Sequence, residues 1–333
     1  MPTLTLLALE EPENHLSPFF LSRVVTQLTE LSAGPRTQAM LSSHSASALA
    51  RVEPAQVRHV RLDPATRTST VTAIELPENA TEAGKYIREA VRAHPELYFA
   101  RYVLLCEGDS EELVIPLLAQ HRDVPIEKSF VAVVPLGGRH TNHFWRLLHS
   151  LHIPHATLLD LDWGRDGGGI GRIKDACEQL QANKIDPFAG IEGFDDIGDL
   201  AAVPNTDTDA ISAWMDHLRT FRVYFSKPLD LDMALLQHYF THYTSTLELG
   251  ARGPKLDSDA RKAVVGDNPE DIDYWKRDDV APQLVWYRYL FLNKSKPATH
   301  LRVLSAMPDS ALAEPPEYLI ELIDDIKGEL GLP

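Results

Sequence analysis

Apolar positions fall in short runs separated by polar, periodic stretches over most of the chain. Residues 4–9 form an apolar run that predicts a strand; an amphipathic helix extends to about Leu31, and residues 37–43 give a second strand. Two more strand-like runs, residues 57–62 and 68–76, flank a turn at Asp63 and Pro64, and a helix over about 82–93 stops at His94 and Pro95. From Arg101 the rhythm becomes strand (101–106), helix (111–121), strand (129–136), helix (142–151), strand (155–161), glycine-rich loop and helix (173–182). A loop over 184–205, a helix over 209–219 and a strand over 221–226 follow, and beyond Pro228 the pattern is mainly helical, near 233–243, 282–292, 298–305 and 317–329. Strands alternating with helices predict an α/β fold, a parallel sheet covered by helices on both faces. We expect three parts, residues 1–95, 96–230 and 231–333.

Composition narrows the function classes. The 333 residues are 44% hydrophobic and 24% charged, ordinary globular values, and no apolar run is long enough for a membrane span, which predicts a cytoplasmic protein without a membrane partner. The two cysteines, Cys106 and Cys177, lack the spacing of a zinc cage or disulfide framework and read as reduced core residues. A net charge of -16, from 48 acids against 32 lysines and arginines, argues against loose binding along nucleic acid. Between Gly137 and Lys174 the sign reverses: Arg139, Arg146, Arg165, Arg172 and Lys174 face only Asp160, Asp162 and Asp166. Any phosphate-binding surface is expected there.

In parallel sheets the chemistry gathers at the carboxyl ends of the strands. Glu107-Gly108-Asp109-Ser110-Glu111 ends the first strand of the middle part, with Gly108 for a tight turn, Ser110 placed to cap the helix, and Glu111 in its first turn. Two strands later stands Asp160-Leu161-Asp162, whose aspartates share one side if the strand continues, or splay around its end if it stops. Four carboxylates converging from separate segments suit a hard divalent cation. The plainer reading is a set of solvated loop acids and helix N-terminal charges. It suits Glu111 taken alone better than it suits acids ending two apolar strands of one sheet, which would repel without compensation.

This EGxxE after one strand, a glycine pair (Gly137, Gly138) after another, and DxD after a third resemble the Toprim domain, a Rossmann-like fold shared by topoisomerases, DnaG-type primases and OLD-family nucleases. The stretch DLDWGRDGGGIGRIK, residues 160–174, is similar to class 2 OLD nucleases, and the likeness covers roughly residues 100–305. It implies two-metal phosphodiester cleavage with Mg²⁺ or Mn²⁺ held by Glu107, Glu111, Asp160 and Asp162. It also implies a further acid after the strand at 221–226, here Asp230 or Asp232, which could instead cap the next helix. An active-site lysine is implied as well, here Lys296 rather than Lys294, with a solvent lysine as the plainer alternative.

Arg139, Arg165, Arg172 and Lys174 are the candidate phosphate or DNA contacts, and the glycines of residues 167–169 would let backbone amides approach a phosphate, unless the loop is only a flexible connector. His140, His143, His149, His152 and His155 are too irregularly spaced for a zinc site. Near the start, residues 6–18 resemble the Walker B and D-loop region of ABC-type ATPases, with Glu10 as the Mg²⁺-associated acid and Glu11 polarising water; His44 would be the switch histidine. The sequence contains no GxxxxGK[ST] phosphate loop and no signature motif ahead of Glu10, so ATP is expected to serve only with a missing ATPase half, as in a truncated or split protein.

The expectation is a metal-dependent DNA endonuclease or nickase of OLD type, with DNA as partner and a homodimer compatible with it. Two rivals stay open: another Toprim enzyme, topoisomerase- or primase-like, and a catalytically silent nucleic-acid-binding regulatory module. A topoisomerase needs a tyrosine nucleophile, and nothing in the sequence around Tyr239, Tyr243 or Tyr274 recommends one.

Overall fold

The computed structural model describes residues 4–63, 66–74, 94–137, 141–255, 258–266, 272–292 and 294–333. The helix expected over 82–93, Gly138 and Arg139 lie outside the described residues. The chain forms two compact units, residues 1–100 with 143–153, and residues 101–142 with 154–333.

In the first unit β1 (Thr5–Glu10) pairs in parallel with β2 (Thr37–Ser42), connected through α1 (Pro18–Ser32). β3 (Arg58–Leu62) and β4 (Ser69–Ala73) make a separate antiparallel ribbon. A small core of Leu21, Val25 and Ala48, backed by Leu16, Leu41 and Val52, holds α1 to its strands. Leu4, Leu6 and Met40 remain exposed.

The second unit is built on four parallel strands: β5 (Tyr102–Cys106), β6 (Val131–Pro135), β7 (His155–Asp160) and β8 (Val223–Ser226), in the spatial order β6-β5-β7-β8. All five residues of β5 are fully buried, as a strand covered on both faces requires. The longer helices of this unit are α2 (Asp109–Gln120), α4 (Ile170–Ala182), α5 (Thr208–Arg219), α6 (Leu231–His238), α7 (Ala281–Tyr287), α8 (Lys296–Leu304) and α9 (Glu317–Leu330), while α3 (Thr141–Ser150) belongs mostly to the first unit. The helical stretch expected over 233–243 is broken at Tyr239, where α6 ends and a short helix, Phe240–Ser245, begins. None of the described helices is long and apolar enough to cross a membrane.

The strand order places the site. From β5 the chain passes to β6 on one side, then crosses back so that β7 lies on the other, which makes the gap between β5 and β7 the point where the winding reverses. A crevice opens at such a point, because the two connections leave in opposite directions. Glu107 follows β5 directly and Asp160 ends β7, so the crevice is lined by acids from both walls.

Candidate metal and phosphate site

The chain turns after β5 at Gly108, and α2 begins at Asp109. Glu111 folds its carboxylate back to accept the Gly108 N–H at 3.2 Å. Ser110, expected as the cap, lies within the first turn instead, its hydroxyl 3.4 Å from Asp232. After β8, Asp230 accepts the Met233 N–H at 2.9 Å, capping α6, and its second oxygen accepts from the Tyr287 hydroxyl. Capping and the cleft were alternatives for Asp230 in the sequence; in the structure it does the first and lines the second. Lys296 opens α8, where Ser295 caps the Ala298 N–H at 3.4 Å.

Glu107, Glu111, Asp160, Asp230, Asp232 and Lys296 line one cleft of about 500 Å³, with Gly137 on its wall. Glu111, Asp230 and Asp232 are each under 5% exposed. Glu107 and Asp160 share a hydrogen bond. Burial raises both carboxyls, that of Asp160 well above the usual range with added repulsion from Asp230 and Glu107; Arg172 moderates the rise at Glu107. Burial, then repulsion from Asp232, Asp230 and Glu107, pushes Glu111 up to about 8. Asp230 is raised by burial and by Asp232, against the pull of Lys296 and Arg165. Asp232 alone goes down: burial opposes its ionisation, but the hydrogen bond from His300 and the ammonium of Lys296 outweigh it.

Asp162 is placed differently. β7 ends at Asp160, Leu161 turns into the core, and Asp162 takes a left-handed backbone with φ of 51°, a conformation aspartate tolerates. The two aspartates therefore splay. Asp162 is clamped by Arg165 at 2.6 Å and by Arg172, which also reaches Glu107 at 3.2 Å. Arg165 further binds the Val264 carbonyl at 3.0 Å and the Tyr287 hydroxyl at 3.3 Å. These two arginines thus stand on the carboxylates rather than in open solvent, and Lys174 sits 3.8 Å from Glu178 on its own helix.

The glycine-rich loop is packed, not a loose connector. The Gly169 N–H reaches the Leu161 carbonyl at 2.7 Å, and Asn205 braces Gly168 and Ile170. A Cβ at Gly168 would lie 1.8 Å from the Asp162 carbonyl oxygen, so only glycine allows this close return to the DxD turn.

Three residues of the network went unread in the sequence: His300, Tyr287 and, in its buried role beside His300, Tyr243. Tyr243 meets His300 at 2.5 Å, and His300 meets Asp232 at 2.7 Å. The spacing of Lys296 and His300, four residues apart and hence on one face of α8, was the available signal.

Mg²⁺ and Mn²⁺ take hard oxygen donors, and the five carboxylates above, with Asp109 as a sixth acid on the cleft, supply them. Four of them, Glu107, Glu111, Asp160 and Asp230, are raised first by burial, and the last three also by repulsion from neighbouring carboxylates. Among the described residues no three His, Cys, Asp or Glu side chains already stand in a metal-holding arrangement. Lys296 pairs with Asp232, and Arg172 with Glu107, at the edge of this donor set. The donors fit in kind. In the first unit, Glu11 and His44 stand 3.1 Å apart, Asn14 donates to Glu11 at 2.9 Å, and Glu10 pairs in register with Ser42.

Residues 98–162 match the family described as overcoming lysogenization defect protein-like, TOPRIM domain. Among solved structures, the C-terminal region of the Xanthomonas campestris pv. campestris OLD protein aligns over 71% of this chain and 96% of its own, at 17% identity and a TM-score of 0.42. The C-terminal region of the Burkholderia pseudomallei OLD protein aligns over 70% of this chain and 99% of its own, at 17% identity and a TM-score of 0.43. No curated protein matches the chain.

Proposed function

We propose that this chain, which carries the Toprim domain of the OLD family, hydrolyses phosphodiester bonds of DNA with divalent cations held in its carboxylate cleft. The observation that carries this reading is the meeting of Glu107, Glu111, Asp160, Asp230 and Asp232 with Lys296 on one cleft at the ends of parallel strands. These five carboxylates, with Asp162 in reserve beside Arg172, would hold Mg²⁺ or Mn²⁺. Two such ions, when bound, supply an activated water and a stabilised leaving oxygen.

The chain's own residues do the rest. Glu107 and Asp160 share a hydrogen bond across the reversal point, at the tips of two strands whose spacing the sheet fixes. Lys296, 41% exposed at its side chain, is the cation a substrate phosphate would meet at the mouth, where its charge offsets what develops on the phosphate during cleavage. Arg172 and Arg165 hold the DxD turn and keep Asp162 beside Glu107. We assign Glu10, Glu11 and His44 to ATP chemistry only in company with a phosphate loop, which this sequence does not contain.

Supercoiled plasmid incubated with Mg²⁺ or Mn²⁺, with and without chelator, tests the reading. Nicked and then linear product that disappears with chelator is expected. Relaxed topoisomers would favour the topoisomerase-like alternative, and no product with any divalent ion would favour the silent binding module.

A further inference from the structure

Behind the cleft runs a chain of polar groups whose inner members, Tyr243 and His300, the cleavage reading does not use. Tyr243, fully buried, has its hydroxyl 2.5 Å from Nδ1 of His300. His300, also fully buried, places Nε2 2.7 Å from Oδ1 of Asp232. The other Asp232 oxygen pairs with the Lys296 ammonium, and Asp230 lies 3.7 Å from that same ammonium. The chain passes from the interior to the cleft mouth across three elements: the short helix Phe240–Ser245, the first turn of α6, and one face of α8.

Donor and acceptor counting fixes the direction. A buried phenol must donate its proton, and the acceptor within reach is Nδ1 of His300. The ring proton is then on Nε2, which donates to Asp232; this tautomer follows from the hydrogen-bond network. One carboxylate oxygen of Asp232 is thereby taken, the plane of the group is set, and the remaining oxygen faces Lys296. Without that clamp the ammonium has two buried carboxylates, Asp230 and Asp232, between which to move.

We propose that His300 is a positioning residue for Lys296: backed by Tyr243, it orients Asp232 so that the free carboxylate oxygen fixes the ammonium at the cleft mouth. The effect on cleavage rests on the nuclease reading above; the arrangement itself does not. His300 touches no substrate and acts through Asp232, as residues that orient a site's ligands do, at a typical cost of about 10–100-fold when removed.

The experiment combines a mutant cycle with a spectroscopic arm on the full chain. His300→Leu is expected to lower the plasmid nicking rate at saturating DNA by about 10–100-fold, and by less than about threefold when Lys296→Met is already present, since coupled residues are not additive. His300→Gln, which keeps an N–H toward Asp232, should recover most of the rate. Equal fold losses in both backgrounds, or no rescue by glutamine, overturn the proposal. In ¹⁵N-histidine-labelled protein the ring signal lost in His300→Gln should report a proton on Nε2, and Tyr243→Phe should shift it toward a tautomer mixture. A proton on Nδ1, or a ring indifferent to Tyr243→Phe, overturns the proposal without any cleavage assay. An Nε2–H ring in a protein that cuts no DNA supports the clamp and sinks the nuclease reading instead. If His300→Leu does not fold, His300→Gln and Tyr243→Phe carry both arms.

Discussion

Glu111→Gln should make the metal-free protein more stable at pH 8 while destroying its response to metal. Glu111 is 4% exposed, and burial with the charges of Asp232, Asp230 and Glu107 lifts its carboxyl from 4.5 to about 8. At about 1.4 kcal/mol per pH unit, that lift sets a ceiling of about 5 kcal/mol on what ionising the group costs the folded state. Buried sites respond as though their effective dielectric were about 20, so we expect on the order of 2 kcal/mol. Two terms oppose the gain, and both are smaller. A carboxylate at the start of α2 gains about 0.3–1 kcal/mol from the helix dipole, and the 3.2 Å bond to the Gly108 N–H can pass to the glutamine carbonyl. Because the folded-state pKa is raised, the favourable contribution of the neutral carboxyl is complete below about 4.5 and is lost as pH climbs toward 8. Thermal unfolding in EDTA across pH 5 to 9 should therefore show variant and wild type together at the acid end. A gain on the order of 5 °C should open by pH 8, at roughly 2–4 °C per kcal/mol for a unit of this size. A gain that is the same at pH 5 and pH 8, or a loss at pH 8, would refute the claim that repulsion and burial dominate at this carboxylate.

Mn²⁺ at 100 times its Kd should stabilise the wild type by about 2.7 kcal/mol and the Glu111→Gln protein by much less, read as the shift in unfolding temperature on adding the ion. Glu107→Ala and Asp160→Ala should each abolish plasmid nicking while leaving the far-UV spectrum unchanged, since each removes a carboxyl at a strand end and not a strand residue of the core. Arg172→Ala leaves Glu107 and Asp162 without their shared cation, and should cost about 1–3 kcal/mol in denaturant unfolding. Arg172→Lys should rescue poorly, because a single ammonium cannot span both carboxylates as the guanidinium fork does.

The sheet was legible because its cause is local and repeated. β5, β7 and β8 are short, nearly unbroken apolar runs, and each ends on a polar residue at or just beyond the strand, so pattern alone located them to within two residues. The break at Tyr239 was not legible. Residues 233–243 keep helical periodicity through the point where α6 stops, and the turn there is set by tertiary contacts of the Tyr239 hydroxyl with the carbonyls of Ala311 and Glu314. Ser110 was misplaced for a different reason. Its sequence position suits a cap, but the chain enters α2 two residues earlier through Gly108, which frees the hydroxyl to turn toward Asp232.

Within the site, the residues that could be read were those whose role depends on sequence-local geometry: an acid at a strand tip, an aspartate at a helix start, a lysine beside a proline. Those that could not were the hydrogen-bond donors supplied from far along the chain, and the pairing of Arg172, expected on a phosphate, with a carboxylate. Arg172 joins Glu107 across 65 positions, Tyr287 meets Asp230 across 57, and His300 meets Asp232 across 68. Gly168 sits between the two kinds and shows what couples them. As a member of a glycine run it looked equally like a phosphate loop or a slack connector, yet its missing side chain is what lets the loop return onto the Asp162 carbonyl. That return starts α4 where Arg172 reaches back to both Asp162 and Glu107. Gly168→Ala should therefore act at a distance: its Cβ would sit 1.8 Å from a backbone oxygen, the loop must move, and the arginine moves with it. Gly171→Ala, three residues on and inside α4, meets nothing within 4 Å and should instead stabilise by about 0.4–1 kcal/mol. Measured side by side for unfolding and for nicking, the first variant should lose both and the second neither. Equal behaviour of the two would mean that the loop does not hold the carboxylates in register after all.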